Sequence, residues 1–242
     1  MKILLIGHGR MGRLIAETAL AAGDEIVAVV DSSSLNSLQT LGKAADVVID
    51  FSSPKALPAV AEYIRATGTA LLSGTTGYTA EDLAVIASLG QFAPVMHSAN
   101  YSVGVAVLRR VLEQISDVLK PDFDIEIMET HHNQKADAPS GTAKLLLNAI
   151  DPNHELTPVY GREGICGKRD GKEIGVHAIR GGTVAGTHTV SFFGVDEELS
   201  FTHRATSRQI FVNGALHMAR KLHRLPKGCY QLQDILFGGN NG

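Results

Sequence analysis

The chain of 242 residues is 44% hydrophobic, which suits one large or two modest globular domains. Its formal net charge of -3, without long runs of lysine and arginine, argues against nucleic acid as a main partner. No apolar run approaches the roughly 20 residues that cross a bilayer. The first apolar run is too short for a signal peptide, and two cysteines are too few for a disulfide framework. The sequence thus predicts a cytoplasmic protein with no membrane partner.

The first hundred residues alternate short apolar runs with helical patterns. The apolar runs predict five strands, at residues 3–6, 26–30, 47–49, 70–72 and 94–96. Between the first two strands, apolar and small residues recur at helical spacing from Met11 to Ala22. This order predicts a parallel sheet with helices on both of its faces.

The sequence changes character after Val103. Helical spacing between residues 108 and 119 predicts a long helix, and residues 122–129 alternate as a strand. Residues 151–172 are rich in glycine, proline and charge, which predicts a long loop. The remaining predicted elements are strands at 174–180, 187–194 and 197–204 and a helix at 211–222. The short turns between these strands predict an open, largely antiparallel sheet.

A glycine-rich turn lies between the first predicted strand and the first predicted helix. It fits the pattern G-x-G-x-x-G and comprises Gly7, His8, Gly9, Arg10, Met11 and Gly12. In a dinucleotide-binding turn, one glycine permits the tight bend, one lets the pyrophosphate approach, and one lets helix and strand pack closely. A tight structural turn is the alternative that the motif alone leaves open.

Asp31 ends the second predicted strand and is the candidate for contact with a ribose. Its carboxylate can accept hydrogen bonds from both ribose hydroxyls and would repel a 2′-phosphate, which favours NAD over NADP. Serines follow it and no arginine does, which weakens the case for strong NADP selectivity. The structural alternative for Asp31 is a turn-forming or helix-capping acid.

Two further polar turns follow the fourth and fifth predicted strands. The carboxyl ends of the strands are where an open α/β sheet binds its ligands. The candidate cofactor-binding residues in these turns are Gly74, Thr75, Thr76, Ser98, Ala99, Asn100 and Tyr101. Polar turns at strand ends are common, so ordinary loops are the alternative.

The imidazoles of His131 and His132 and the ammonium of Lys135 are the candidates for chemistry. On a strand, the two histidine side chains would point to opposite faces and have different roles. Adjacent histidines are poorly placed to share a metal ion, so no metal site is predicted, and a structural role is the other alternative. Imidazole exchanges protons near neutral pH, which favours substrate binding and proton transfer. Asp137 is placed to orient Lys135, which could otherwise be a solvated surface charge.

A helix is predicted to begin after Ser140, which is a good N-cap residue. The N–H groups of Gly141 and Thr142 would then face an anion with the helix dipole behind them, which suits a carboxylate. Arg162 and Arg180 are secondary candidates, because a guanidinium can clamp a carboxylate bidentately. Either arginine could equally hold a loop or subunit contact. A cofactor half followed by a cationic half predicts a reductase for a small acidic molecule.

Together these motifs resemble the bacterial dihydrodipicolinate reductase family over nearly the whole chain. The run His-His-x-x-Lys-x-Asp-Ala-Pro-Ser-Gly-Thr-Ala, which begins at His131, is highly specific to that family. Further matching segments lie at residues 7–12, 49–52, 74–76, 99–102, 162–164, 177–182, 188–190, 207–208 and 230–236.

The resemblance implies an α/β fold class, with an N-terminal Rossmann-type parallel sheet plus an α+β substrate and oligomerisation domain with an open mixed sheet. Residues 1–102, completed by 212–242, would bind the dinucleotide. Residues 103–211 would bind the substrate and form a homotetramer. The implied activity is the reduction of 4-hydroxy-tetrahydrodipicolinate or dihydrodipicolinate to tetrahydrodipicolinate by NADH or NADPH, in the diaminopimelate route to lysine.

The resemblance also implies roles for single residues. His131 would donate or accept the proton, Lys135 would donate a proton, and the three turns with Asp31 would bind the cofactor. The residues implied to hold the dicarboxylate substrate are His132, Gly141 and Thr142. Two rival hypotheses are a different Rossmann reductase, such as an amino-acid dehydrogenase, and a nucleotide-sensing regulator. No basic recognition helix in the sequence supports the regulator.

Overall fold

The computed structural model describes residues 1–238, which form two compact units. The first unit is Met1–Ser102 joined by the chain from Gln209 onward, and the second unit is Val103–Arg208. The sequence predicts the return to the first domain at residue 212, whereas the unit resumes at Gln209, where a helix begins. Residues 239–242 of the predicted domain lie outside the described part of the chain.

The first unit contains a six-stranded parallel sheet with order β11-β5-β4-β3-β1-β2. Its strands are β1 (Lys2–Ile6), β2 (Glu25–Val30), β3 (Val47–Asp50), β4 (Ala70–Ser73), β5 (Pro94–His97) and β11 (Gly228–Tyr230). Its α-helices are α1 (Arg10–Ala21), α2 (Leu57–Thr67), α3 (Ala80–Ser88), α6 (Gln209–Leu222) and α7 (Leu232–Phe237). Short 3₁₀ helices span Leu35–Gln39, Pro54–Ala56 and Leu89–Gln91.

The apolar runs explain this sheet. All residues of β3 and β4 are buried, and so are all but the first of β1, as expected for central parallel strands covered on both faces. On one face, Leu4, Val48 and Leu71 pack in a core cluster with Ile64 of α2. The five predicted strands are present. The sixth, β11, was missed because it is a three-residue edge strand without an apolar run.

The second unit contains a five-stranded mixed sheet with order β10-β9-β6-β8-β7. Its strands are β6 (Asp124–His131), β7 (Thr157–Val159), β8 (Glu173–Arg180), β9 (Gly186–Phe193) and β10 (Glu198–Ala205). Its helices are α4 (Val103–Leu119) and α5 (Gly141–Ile150). Among the described residues, none of the helices is both long enough and apolar enough to cross a membrane.

The open mixed sheet that the resemblance implies is confirmed, but the largely antiparallel pairing predicted from the turns is wrong. β6 pairs antiparallel with β9 but parallel with β8, and β7 also pairs parallel with β8. The chain between β6 and β8 passes through α5, and a crossover of this kind brings the next strand back parallel. The loop predicted at 151–172 is also wrong in part, because it contains β7.

The two faces of β6 differ in character. Ile125 and Ile127 lie on the inner face, where they pack in a core with α4 and α5, while Met128 lies on the outer face. Glu129 and His131 follow the two isoleucines on the inner face, because side chains alternate along a strand. The predicted strand ended at Glu129, but the observed strand continues to His131. The inner face therefore changes from apolar to charged toward the carboxyl end of β6.

Candidate active site

The glycine turn of the first unit lies at the carboxyl end of β1. Gly7 has a φ of +94°, and a side chain there would meet the carbonyl oxygen of Phe51 at 2.5 Å. Gly12, in the first turn of α1, lies so close to the carbonyl of Gly7 that a Cβ would overlap it. Packing within the protein therefore requires these two glycines.

Gly9 differs from its two neighbours in the motif, because nothing lies within 4 Å of a side chain built there. It is the N-cap residue of α1, and no side chain caps that helix. The open space at Gly9 and the N–H groups of the first turn of α1 fit the pyrophosphate of a dinucleotide. Within the same turn, His8 and Arg10 are exposed and Met11 is half-buried.

Phe51 joins the three turns that the sequence assigns to the cofactor. Its ring occupies the space that a side chain on Gly74 would need, and its carbonyl faces Gly7. The same ring packs against Tyr101 with 5.9 Å between the ring centroids. The turns after β1, β4 and β5 therefore lie together at the carboxyl edge of the sheet, where the sequence places them.

Asp50, the last residue of β3, is a buried carboxyl group beside these turns. It accepts hydrogen bonds from the hydroxyls of Ser52 at 2.5 Å and Tyr78 at 3.1 Å. Burial raises the pKa of Asp50, and these hydrogen bonds offset the shift only in part. The N–H of Ser52 also donates to the hydroxyl of Thr75 at 3.0 Å. The network ties the turn after β3 to the turn after β4.

Several of the predicted cofactor residues make local hydrogen bonds. Tyr101 is 1% exposed, and its hydroxyl donates to the carbonyl of Ser73 at 2.8 Å. The hydroxyl of Ser98 donates to the carbonyl of Asn100 at 2.7 Å. Two exposed members of these turns are Thr76 and Ala99. A cofactor contact by this group stays a prediction, and the Tyr101 side chain itself supports the turn.

Asp31 is exposed just beyond β2, and its carboxylate shapes its own turn. Oδ1 accepts from the hydroxyl of Ser33 at 2.6 Å, the N–H of Ser33 at 2.9 Å and the hydroxyl of Ser34 at 3.0 Å. These hydrogen bonds, that of the Ser33 hydroxyl first, lower the pKa of Asp31. Among the described residues, no donor binds Oδ2 of Asp31. Asp31 can therefore shape its own turn through Oδ1 and still accept a hydrogen bond from a ribose through Oδ2.

In the second unit, Glu129 places a charge on the inner face of β6 with none of its side chain exposed. Its carboxylate accepts from Arg180 Nη1 and Nη2 at 2.9 and 2.8 Å, from His131 Nδ1 at 2.5 Å and from the N–H of Ser140 at 3.0 Å. Burial raises the pKa of Glu129, but these hydrogen bonds, led by those of Arg180, outweigh it and lower the pKa. Glu129 is therefore a carboxylate at neutral pH.

His131 donates its Nδ1–H to Glu129, because a carboxylate can only accept. A Cβ on Gly186 would lie 3.0 Å from His131 Nε2, so the glycine keeps that side of the ring clear of a side chain. The ring of His188 meets His131 edge-on, with 5.1 Å between the centroids. The inner cluster, as we name it, consists of Glu129, His131, Ser140, Arg180 and His188.

His188 of β9 is buried, and its Nε2 lies 3.1 Å from the hydroxyl of Ser140. Burial, and after it the charge of His131, lower the pKa of His188 to about 4, so its ring is neutral at pH 7. The Ser140 hydroxyl also accepts from the N–H of Ala143 at 3.1 Å, which confirms the predicted N-cap of α5. Gly141 is the first residue of α5, and the space around its Cα is open.

Lys135 lies in the loop between β6 and α5. Its Nζ is 2.8 Å from Asp137 Oδ1, which confirms that Asp137 orients it. The hydrogen bond from Lys135 lowers the pKa of Asp137. Arg180 Nη2 donates to the carbonyl of Asp137 at 2.6 Å, so this loop is tied to the inner cluster. The two other predicted substrate residues, His132 beyond the end of β6 and Thr142 in α5, are half-buried.

The two arginines predicted as possible substrate clamps each hold a glutamate of this chain. Arg180 binds the inner carboxylate, and Arg162 binds Glu126 bidentately at 3.0 and 3.1 Å. Glu126 also accepts from Arg169 Nε at 3.2 Å and from His177 Nε2 at 2.7 Å. Burial raises the pKa of Glu126, but these hydrogen bonds, led by those of Arg162, lower it to about 2. The outer cluster, on the outer face of β6, consists of Glu126, Arg162, Arg169 and His177.

Sequence reasoning missed Glu129, Asp50 and Phe51 as parts of the two sites. Glu129 continues the alternation of two buried isoleucines, so its position on an apolar face was a readable signal that it needs partners. Asp50 likewise ends a fully buried strand. Phe51 carried no such signal, because its packing depends on a glycine from another turn.

The parallel sheet and its glycine turn define a Rossmann-type unit of the nicotinamide-dependent oxidoreductases. Two family models match the chain: "Dihydrodipicolinate reductase, N-terminus" over residues 1–101 and "Dihydrodipicolinate reductase, C-terminus" over residues 104–236. The chain belongs to the dihydrodipicolinate reductase family, whose substrate is a small dicarboxylate.

Relatives over the full length agree with the family models. The chain is 42% identical to a 4-hydroxy-tetrahydrodipicolinate reductase of an Exiguobacterium species, covering 97% of this chain and 95% of the relative. It is also 42% identical to the enzyme of that name from Staphylococcus aureus, covering 97% of this chain and 100% of the relative. These comparisons confirm the predicted family and an oxidoreductase, and they disfavour both rival hypotheses.

One solved structure shows the same fold. It is a dipicolinate-bound dihydrodipicolinate reductase from Paenisporosarcina sp. TG-14, with a TM-score of 0.79 and 21% sequence identity. The similarity covers 98% of this chain and 99% of the other. The predicted α/β fold class, a Rossmann-type sheet with a second mixed sheet, is thereby confirmed.

Proposed function

We propose that this chain reduces dihydrodipicolinate, or 4-hydroxy-tetrahydrodipicolinate with loss of water, to tetrahydrodipicolinate with NADH or NADPH, in the diaminopimelate route to lysine. The observation that carries the proposal is the inner cluster. One buried carboxylate, Glu129, binds the imidazole of His131 and the backbone N–H that precedes α5. The proposed proton carrier and the proposed anion site are thus held by the same group.

The cofactor would be held by the three turns at the carboxyl edge of the first sheet and by Asp31. The pyrophosphate would approach the backbone at Gly9, where the space is open. When bound, the reduced nicotinamide supplies the hydride. The exposed carboxylate of Asp31 would accept hydrogen bonds from the ribose hydroxyls through Oδ2 and repel a 2′-phosphate, which supports a preference for NADH.

The carboxylates of the substrate would be bound at the start of α5. The N–H groups of Gly141 and Thr142 lie in the first turn of this helix, where backbone donors and the helix dipole favour an anion. His132 and Lys135 would add donors from the preceding loop. The chemistry of this donor set fits a small dicarboxylate.

Hydride addition to the substrate ring builds negative charge toward its nitrogen, and a proton must reach that atom. A cationic environment stabilises the charge, which is commonly a large term in catalysis. His131 or Lys135 would deliver the proton, which is worth roughly 10²–10⁴-fold in rate. Solvent would then restore the proton to the side chain.

We also propose that the chain forms a homotetramer through the outer face of the second sheet. Met128 and Ile179 on that face are each 46% exposed, and Phe193 is 39% exposed. Exposed apolar side chains on an uncovered sheet face favour association with another surface. Light scattering should give four times the 25.7 kDa chain mass, and a monomer would contradict this part of the proposal. The enzyme would act in the cytoplasm, where reduced dinucleotide is supplied.

The test of the proposed activity is steady-state kinetics on freshly made product of dihydrodipicolinate synthase, followed by nicotinamide absorbance. We expect turnover with both coenzymes and a higher kcat/KM with NADH. A panel of keto and imino acids serves as the control. Turnover of a panel member and none of the synthase product would contradict the proposal.

A further inference from the structure

We propose that Glu129 is the positioning residue for proton transfer. It holds a proton on Nδ1 of His131, so the protonated ring gives its Nε2 proton to the substrate and returns to the neutral Nδ1–H form. Through Ser140 it also fixes the start of the helix that would bind the substrate. The inference rests on the proposed function in one respect, that His131 is the proton carrier.

The hydrogen bonds of Glu129 come only from donors. Oε2 accepts from His131 Nδ1 and from Arg180 Nη1, and Oε1 accepts from Arg180 Nη2 and from the N–H of Ser140. The guanidinium and the backbone N–H cannot accept a hydrogen bond, so neither can exchange roles with the carboxylate. The imidazole is the one partner that could accept, and the negative charge of Glu129 makes it a donor.

The opposite side of the His131 ring lies beside a glycine. A side chain on Gly186 would approach Nε2 to 3.0 Å, and Gly186 has a φ of +154°, where other residues are strained. The ring is therefore held at Nδ1 by a carboxylate, and the residue beside Nε2, Gly186, has no side chain. In turnover, the proton leaves Nε2 for the substrate nitrogen. The ring that remains is neutral with its proton on Nδ1, and solvent protonates Nε2 again.

The same carboxylate sets the anion site. The N–H of Ser140 is bound at 3.0 Å by Glu129, while the Ser140 hydroxyl caps α5. A change in Glu129 would therefore disturb both the ring of His131 and the first N–H groups of α5. This dual role predicts effects on kcat and on the KM for the dicarboxylate, but not on the KM for NADH.

The substitution Glu129→Gln is predicted to change the tautomer of His131. The amide has one oxygen and one NH₂ group, and only His131 Nδ1 can accept from that NH₂. With its NH₂ toward the imidazole, the amide faces one opposing donor, Arg180 Nη1. The reverse orientation would set the NH₂ against two donors, the N–H of Ser140 and Arg180 Nη2, so the first orientation is favoured. In Glu129→Gln, neutral His131 should then carry its proton on Nε2, which is the wrong tautomer for the proposed role.

The matched control is Glu126→Gln on the outer face of the same strand. Glu126 also binds arginine bidentately and accepts from a histidine, His177. The same argument predicts that this substitution changes the tautomer of His177 and leaves that of His131 unchanged. The two variants therefore share the chemical change and differ in which imidazole is affected.

The experiment is ¹⁵N NMR on histidine-labelled protein at about pH 9, where imidazoles are ordinarily neutral. Comparison with the spectrum of His131→Gln assigns the signals of His131. We expect the Nδ1–H tautomer in the wild-type protein and in Glu126→Gln, and the Nε2–H tautomer in Glu129→Gln. An Nε2–H tautomer in the wild-type protein would overturn the inference, and this measurement needs no variant that folds poorly.

Kinetics give the second readout. We expect Glu129→Gln to lower kcat by about 10²-fold or more and to raise the KM for the dicarboxylate. The KM for NADH should stay within about twofold, and Glu126→Gln should keep the wild-type kcat within about twofold. Wild-type kcat in a folded Glu129→Gln would refute the positioning role. An inactive wild-type enzyme would instead refute the proposed function, while the tautomer would still report on Glu129.

Discussion

Two glutamates on one strand allow a direct comparison between a structural ion-pair network and a candidate site. Glu126 and Glu129 both lie on β6, both bind an arginine bidentately, and both accept from an imidazole. Glu126 faces outward with 20% of its side chain exposed, whereas none of the Glu129 side chain is exposed. Only Glu129 also binds a backbone N–H at the start of a helix.

The difference shows that a bidentate arginine does not by itself identify a site. The outer cluster satisfies charges at a partly exposed surface, where ion pairs contribute little to stability. The inner cluster holds the charge of Glu129 where a core residue would otherwise lie, and the guanidinium of Arg180 pairs with that charge. What distinguishes the inner cluster is that its carboxylate also accepts from the backbone N–H of Ser140, the N-cap residue of α5.

The largest expected effect comes from Lys135→Ala, compared with Arg162→Ala in the outer cluster. Loss of the Lys135 ammonium removes a donor that would stabilise and protonate the substrate, so kcat should fall by roughly 10²–10⁴-fold. Arg162→Ala should leave kcat within about twofold of the wild-type value. Steady-state kinetics measure kcat for both variants. A large loss of NADH affinity in Lys135→Ala would contradict the assignment of Lys135 to the substrate.

The next largest effect concerns stability. Glu129→Ala leaves Arg180 as an unpaired charge beside a buried cavity and should cost about 3–5 kcal/mol of unfolding free energy. Glu126→Ala should cost about 1 kcal/mol within the single chain, where Glu126 and its partners are partly exposed. Urea denaturation followed by circular dichroism measures both values. Equal losses in the two variants would show that burial does not separate the clusters.

The inner cluster should also determine part of the pH dependence of stability. The pKa of His188 is about 4 in the folded protein against an ordinary 6.5, so below pH 6.5 the unfolded chain binds a proton that the folded chain does not. Stability therefore falls as the pH drops from about 6.5 to about 4, by on the order of 3 kcal/mol from this group.

The variant His188→Gln should remove that slope while its amide can still bond to Ser140. Unfolding curves at several pH values, taken for the variant and the wild-type protein, give the difference directly. His203→Gln, on the neighbouring strand, is the control for a less buried imidazole, and its effect should be smaller. Parallel curves for His188→Gln and the wild-type protein would contradict the burial of a neutral ring.

The smallest expected effect is on coenzyme binding by the first unit, which takes no part in the proposed proton transfer. Asp31→Ala should weaken NADH binding by about tenfold, because a charged acceptor for the ribose hydroxyls is lost. NADPH binding should change less, since the repulsion of its 2′-phosphate is lost as well. Fluorescence titration with each coenzyme measures this. Equal losses for both would show that Asp31 serves only its own turn.

The sequence predicts much of the fold because several signals are local. The apolar runs of β1, β3 and β4 and the cap at Ser140 depend on neighbouring residues, and all four are present. β7 and β11 could not be predicted in this way, because each is a three-residue strand whose existence depends on pairing with a distant partner. The parallel pairing of β6 and β8 likewise depends on how α5 returns the chain.

The candidate site was predictable where the chemistry lies in one segment. His131 and Lys135 are four positions apart, and the ion pair of Lys135 with Asp137 is local. The role of Glu129 depends on Arg180, which comes from another strand, so no motif contains both. Arg180 was predicted as a possible clamp for a carboxylate, and the sequence could not reveal that the carboxylate belongs to the chain itself.

The most direct test of the central claim is an NMR titration of the protein with dipicolinate, a planar dicarboxylate. The account predicts saturable shifts of the backbone amides of Gly141 and Thr142 and of the ring nitrogens of His131, with the His177 ring unmoved. Saturable shifts confined to the outer cluster, with the inner cluster unmoved, would contradict it.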